Sequence, residues 1–278
     1  MNKGAKIAVG IWDVFYPLAL YYAVTIILMF AAQLIFGTEN ENYMICEILA
    51  SAITIPIMYQ SFYKPDKVLR PFFTSLKVSS LEEKSKGASA NRQEKVRNAL
   101  CIVGISALIG IGLNNIILMS PLATMSGGYE EAASHFYGGT FVMELIGSAF
   151  LTPILEELVY RGIIYSRLKY MVGIIPSMVG ASLIFAIMHF NIVQFLYAFL
   201  LGFVLIVFME KTGHVYGAIL GHITANTIAV VRTETGILAA TVDKSAAAWS
   251  ISAVCLILGV LGLLFYVRKN PEFMLKNG

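Results

Sequence analysis

Glu156 and Glu157 stand side by side in the apolar run from Phe141 to Tyr160, and Arg161 follows four residues after Glu157. A carboxylate in hydrocarbon costs several kcal/mol unless it is paired or faces a polar cavity, so an ionisable cluster in such a run marks a functional site. Two later apolar segments add His189, at the end of Phe185-Ala-Ile-Met-His189, and His222 with Asn226, in Gly221-His222-Ile-Thr-Ala-Asn226. These residue types suit hydrolysis at a carbonyl. A carboxylate or imidazole tuned by burial serves as general base toward water. Side-chain donors aimed at the developing oxyanion supply rate, roughly 10²–10³ per donor.

Helical spacing assigns neighbours. Residues four apart share a face, and adjacent residues lie about 100° apart. Glu157 and Arg161 are therefore expected to pair while Glu156 points elsewhere, and His222 and Asn226 project together. Phe185 sits one turn before His189 and is expected against its ring. Counted from the inner edges of their segments, Glu156 and Asn226 lie roughly 18 Å deep, His189 roughly 24 Å and His222 roughly 12 Å. Four polar groups at similar depth on three helices imply one shared, hydrated cavity. Pro153 withholds a backbone donor just before the glutamates, which is expected to bend the helix, free a carbonyl and open room for water.

Other chemistries fit less well. No serine or cysteine stands in a matching polar cluster, which argues against a covalent route, and no His-Glu-x-x-His helix is present. A zinc site built from Glu156, His189 and His222 is chemically possible, since a carboxylate with two imidazoles is a known ligand set. The preferred reading requires no cofactor, because glutamate and histidine already supply a base and the asparagine suits an oxyanion better than zinc. Glu144 lies near the outer edge of its segment without a local cation and reads as structural or rim-exposed. His135 reads as an exposed loop residue and His214 as interfacial. Gly202, Gly217 and Gly221 read as close-packing positions.

The elements that must position these residues are membrane spans. Of 278 residues, 58% are hydrophobic and 13% charged, and the mean hydropathy is +0.74; soluble domains carry about twice that charge. A crossing takes about 20 apolar residues. The segments 11–36, 44–62, 97–119, 140–160, 174–190, 192–209, 214–231 and 247–267 meet that need, the fourth continuing as helix toward Lys169 and the fifth and sixth joined tightly at Asn191. The expected fold is all-α: a polytopic bundle of about eight transmembrane helices in one membrane domain over 1–278, with a catalytic core at about 140–231 and a cytoplasmic loop at 63–98. With the N-terminus inside, 18 of the 20 lysines and arginines fall on the inner side and only Arg232 and Lys244 outside. That asymmetry places both termini in the cytoplasm. The first apolar run is too long for a cleaved signal. Cys46, Cys101 and Cys255 are scattered in apolar stretches and read as packing residues. No basic stripe interleaves with aromatics, so nucleic acid is excluded as a partner and the lipid bilayer is the expected one.

Glu156-Glu157-x-x-x-Arg161, Phe185-x-x-x-His189 and His222-x-x-x-Asn226, in this order on successive hydrophobic segments, resemble the CPBP family of CAAX proteases and bacteriocin-processing enzymes. The resemblance covers roughly residues 140–230. It implies an intramembrane endopeptidase acting on peptide or protein substrates, with a chamber open to the cytoplasmic side. It also implies that Glu156 and His189 activate water, that His222 and Asn226 stabilise the oxyanion, and that Glu157 with Arg161 supports the site. The small size and short loops suggest a bacterial cell membrane and peptide-precursor substrates. The alternative is a non-catalytic bacteriocin-immunity or scaffold protein of the same fold, which would have no use for buried carboxylates. A transporter or proton channel is disfavoured because the polar groups gather at one depth and no paired repeat is visible.

Overall fold

A computed structural model describes residues 3–63, 92–126 and 128–268. The described residues form helices and connecting turns, without strands. In chain order the helices are α1 (Lys3–Phe36), α2 (Asn40–Met58, extended by a π turn Tyr59–Tyr63), α3 (Arg92–Met119), the short α4 (Leu122–Met125) and α5 (Tyr129–Phe136). An interrupted rod follows: α6 (Phe141–Ile146), a π turn Gly147–Leu151, α7 (Thr152–Glu157), a π stretch Leu158–Tyr165, and α8 (Ser166–Val172). Then come α9 (Ile174–Ile187), α10 (Ile192–Thr212), α11 (Tyr216–Thr235), a 3₁₀ turn Ala239–Val242 and α12 (Ala246–Arg268).

All the expected segments are helical, but they are not equally fit to cross a membrane. Gly10–Phe36, Asn42–Tyr63, Arg92–Met119, Ile192–Thr212 and Ala246–Arg268 are long and apolar enough, making 5, or up to 6 if α5 and the rod, bent by 100°, count as one broken span. The segments that fall short are informative. α9 has only 14 residues, α11 carries His222, Thr224 and Asn226, and the rod is broken by π turns. The elements least like a plain lipid span are the ones that carry the polar residues.

Burial follows the pattern of a membrane protein. Large apolar side chains such as Ile27, Phe30 and Leu34 on α1, and Leu258, Leu261 and Phe265 on α12, face outward, while Glu144, Glu157, Arg161, Arg167 and His222 are buried. A continuous apolar exterior around a polar interior is stable in lipid and not in water. The rod runs through the middle, packed on α1, α2, α9 and α11, while α3 lies between α11 and α12. The glycines act as expected: a Cβ on Gly221 would meet the Phe208 ring at 2.8 Å, and one on Gly217 the Phe208 carbonyl at 2.7 Å.

Three expectations need correction. The loop set at 63–98 ends earlier, because α3 starts at Arg92, where Glu94 and Arg97 pair one turn apart at 3.8 Å; its remainder, 64–91, lies outside the described residues. His135 is not in a loop. It belongs to α5 and stacks on Tyr43 with ring centroids 4.1 Å apart. Of the two readings of Glu144, structural or rim-exposed, the rim is excluded: its side chain is fully buried in α6.

Candidate active site

The rod presents the two glutamates differently. Glu157 and Arg161 are both buried and joined at 2.6 Å across one turn, as the spacing required. The same Glu157 Oε1 lies 2.8 Å from His222 Nδ1. A carboxylate accepts and an arginine only donates, so Glu157 gathers the guanidinium and the imidazole N–H on one oxygen. The Arg161 guanidinium lies 4.2 Å over the Phe185 ring, and Gly202 leaves it room, since a Cβ there would come within 3.3 Å of Arg161 Nη2. Glu156 instead faces the other edge of His222, with Oε2 3.8 Å from Nε2. His222 therefore stands between the adjacent carboxylates. The imidazole beside Glu156 is thus that of His222, whereas the resemblance couples Glu156 with His189.

His189 lies just past the end of α9, in the turn before α10. Asn191 caps α10 by accepting from the Gln194 N–H at 2.9 Å, and its amide donates to the His189 carbonyl at 3.1 Å. This cap fixes the turn that carries the histidine. His189 Nδ1 meets the Phe185 carbonyl at 2.8 Å. A carbonyl only accepts, so Nδ1 carries the proton and Nε2 is left to act. Phe185 meets the His189 ring edge-on at 4.8 Å and the His222 ring at 5.9 Å, holding both imidazoles around one aromatic side chain.

Asn226 donates through Nδ2 to the Ser148 carbonyl at 2.9 Å, and Pro153 explains why that carbonyl is available. In the π turn the Thr152 N–H bonds to the Gly147 carbonyl, five residues back. The next bond in that register would run from residue 153 to Ser148, and proline has no N–H to give. The Asn226 amide fills the carbonyl that Pro153 leaves free.

Glu156, His189, His222 and Asn226 all line one cavity of about 230 Å³. It is roomy enough for water and has the polar partners water needs. Thr152 and Gln194 add polar groups to its wall, and Tyr129 and Tyr137 line its far part. Glu157 and Arg161 are not among the lining residues and lie buried behind it. The cavity runs toward α5 and the α9–α10 turn. At the other end of the rod Lys169 pairs with Glu210 at 2.6 Å.

Sequence reasoning passed over Glu47. It lies in α2 and accepts from Thr152 Oγ1 at 2.7 Å, one turn ahead of Glu156 on the rod and within electrostatic reach of it. A single acid inside the otherwise apolar 44–62 segment was the signal.

Comparison with known families bears on this arrangement. Residues 138–228 match the family model of Rce1-like proteins, described as type II CAAX prenyl endopeptidase Rce1-like. Over these residues the chain is similar to that family. The match holds every residue of the three motifs and supports a likeness to CAAX-type proteases over that stretch, and several of the helices are long and apolar enough to cross a membrane. It spans about a third of the chain and leaves out α1–α3 and α12, hence Glu47. No curated protein and no solved structure matches the chain.

Proposed function

We propose that this protein is an intramembrane endopeptidase that hydrolyses peptide bonds in peptide precursors or membrane-associated polypeptides with water activated by Glu156 and His189. The observation that carries the proposal is the convergence of Glu156, His189, His222 and Asn226 on one cavity within the Rce1-like core. Glu156 takes a proton from water as its oxygen adds to the scissile carbonyl. The oxyanion is met by His222 donating through Nε2, its Nδ1 held on Glu157, and by the second Asn226 amide hydrogen. Collapse breaks the C–N bond, and the proton passes to the leaving amine, with His189 Nε2 as the second proton carrier. Glu157 and Arg161 position His222 and touch no substrate. On this reading Glu156 and His189 supply the base for the step.

The basic end, with Arg167, Lys169, Lys211 and Arg268, is proposed to face the cytoplasm and the chain to cross the membrane eight times, with α9 and α11 shielded from lipid by their neighbours. The test is digestion of a peptide library by purified protein in detergent, comparing wild type with Glu156→Gln. The expected result is defined cleavage products from wild type and at least 10²-fold fewer from the variant. Equal cleavage by the variant refutes the assignment, and a binding-only protein would cleave in neither case.

A further inference from the structure

Glu47 is an ionisable group that the mechanism above leaves unused, yet it is bonded to the cavity wall. The helix that carries it, α2, packs on α7, as α11 does. Glu156 on α7 is thus flanked by α11 with His222 and by α2 with Glu47. Thr152 Oγ1 donates to Glu47 Oε1 at 2.7 Å, the length of a charge-assisted bond between a hydroxyl and a carboxylate. Thr152 and Glu156 are four residues apart on α7 and both line the cavity. Residues at that spacing are neighbours on one helix face.

A hydroxyl has one proton to give and two lone pairs to offer, and it rotates to suit its partners. The proton of Thr152 is committed to Glu47, so only lone pairs are left for the cavity. Glu156 and Thr152 then stand as two adjacent acceptors on one turn of helix, and a water molecule has two protons. We propose that Thr152 is the second acceptor for the attacking water and that Glu47 is the positioning residue that holds it in that role. Glu156 takes one water proton as the C–O bond forms and the carbonyl π bond opens to the oxyanion. The other proton stays on the new hydroxyl and donates to Thr152 Oγ1. With both protons directed at α7, the lone pair of the water is aimed at the scissile carbon, and orientation of this kind lowers the barrier. The assignment deepens the protease reading above and rests on it. Glu47 lies outside the matched stretch 138–228, so the device belongs to this chain's own α2.

The test measures kcat and KM of the full-length protein on the best-cleaved library peptide, with thermal unfolding in parallel. Wild type is compared with Thr152→Val, Thr152→Ser, Glu47→Leu and the double variant of Thr152→Val with Glu47→Leu. Thr152→Val is expected to lower kcat roughly ten-fold, the worth of one hydrogen bond, with KM unchanged. Thr152→Ser should stay near wild type. Glu47→Leu frees the hydroxyl to rotate and should lower kcat by a smaller factor. Because Glu47 acts only through Thr152, adding Glu47→Leu to Thr152→Val should cost no further turnover. A mere tie between α2 and the rod would instead lower the unfolding temperature and leave kcat alone. Unchanged kcat in Thr152→Val or Glu47→Leu, a Thr152→Ser variant as slow as Thr152→Val, an effect confined to KM, or a further fall in the double variant overturns the proposal. If Thr152→Val does not fold, Thr152→Ala takes its place with the same expectation. Absence of cleavage by wild type defeats the protease reading and this one with it, whereas cleavage by wild type with undiminished turnover in Thr152→Val defeats this one alone.

Discussion

Gly162 lies directly against the hydroxyl of Tyr63, whose Oη donates to the Leu158 carbonyl at 3.0 Å. A Cβ on Gly162 would overlap that oxygen. The contact pins the end of α2 to the π stretch carrying Arg161. Gly162→Ala is expected to cost on the order of 3 kcal/mol by overpacking, while Tyr63→Phe costs about 1 kcal/mol for one buried hydrogen bond. Adding Tyr63→Ala to Gly162→Ala should recover part of the loss, because the two residues share one space. Unfolding in detergent of the two singles and the double checks this; strict additivity would show that the contact is not made.

The buried Glu157–Arg161 pair should be sensitive to removal of either partner alone. Arg161→Ala or Glu157→Ala leaves an uncompensated charge in the interior and is expected to cost about 3–5 kcal/mol. Replacing both together should cost less than the sum of the singles. Folded yield and thermal unfolding of the three variants read this directly.

Asn226 holds two roles that a pair of variants can separate. Asn226→Ala should leave the Ser148 carbonyl unpaired, at about 1–3 kcal/mol, and should lower cleavage roughly 10²–10³-fold through loss of an oxyanion donor. Pro153→Ala supplies a backbone N–H at the position where Ser148 lacks one. The double variant should regain stability and stay inactive. Recovery of cleavage along with stability would reduce Asn226 to a structural tie.

Glu47 is expected to support the wall that bears Glu156 through Thr152. Thr152→Val breaks that bond and should lower kcat without changing KM, whereas Thr152→Ser keeps a donor and should restore it. A change confined to KM would make Glu47 and Thr152 part of the substrate path instead.

A chelator should leave the cleavage rate within about twofold, since glutamate and histidine supply the base without a Lewis acid. Loss of activity on chelation, restored by zinc, would reassign Glu156, His189 and His222 as ligands.

The motif residues and their pairing were readable in the sequence because they depend on local spacing. Residues four apart on a helix must share a face, so Glu157–Arg161 and the packing of Phe185 on His189 followed from numbering. The apolar runs gave the helices for a similar reason: hydrocarbon leaves the backbone no other way to pair its polar groups. Even the carbonyl freed by Pro153 could be anticipated.

Tertiary structure decided everything that joins distant segments. No spacing rule places His222 between the two adjacent glutamates, sends Asn226 to Ser148, sets Glu47 beside Thr152 or buries Glu144. Nor does hydropathy show which end of the bundle is packed and which is hollow. Periodicity reports which way a side chain points from its own helix axis; what it meets depends on how the helices rotate and cross, and that is fixed by close packing among side chains far apart in the chain.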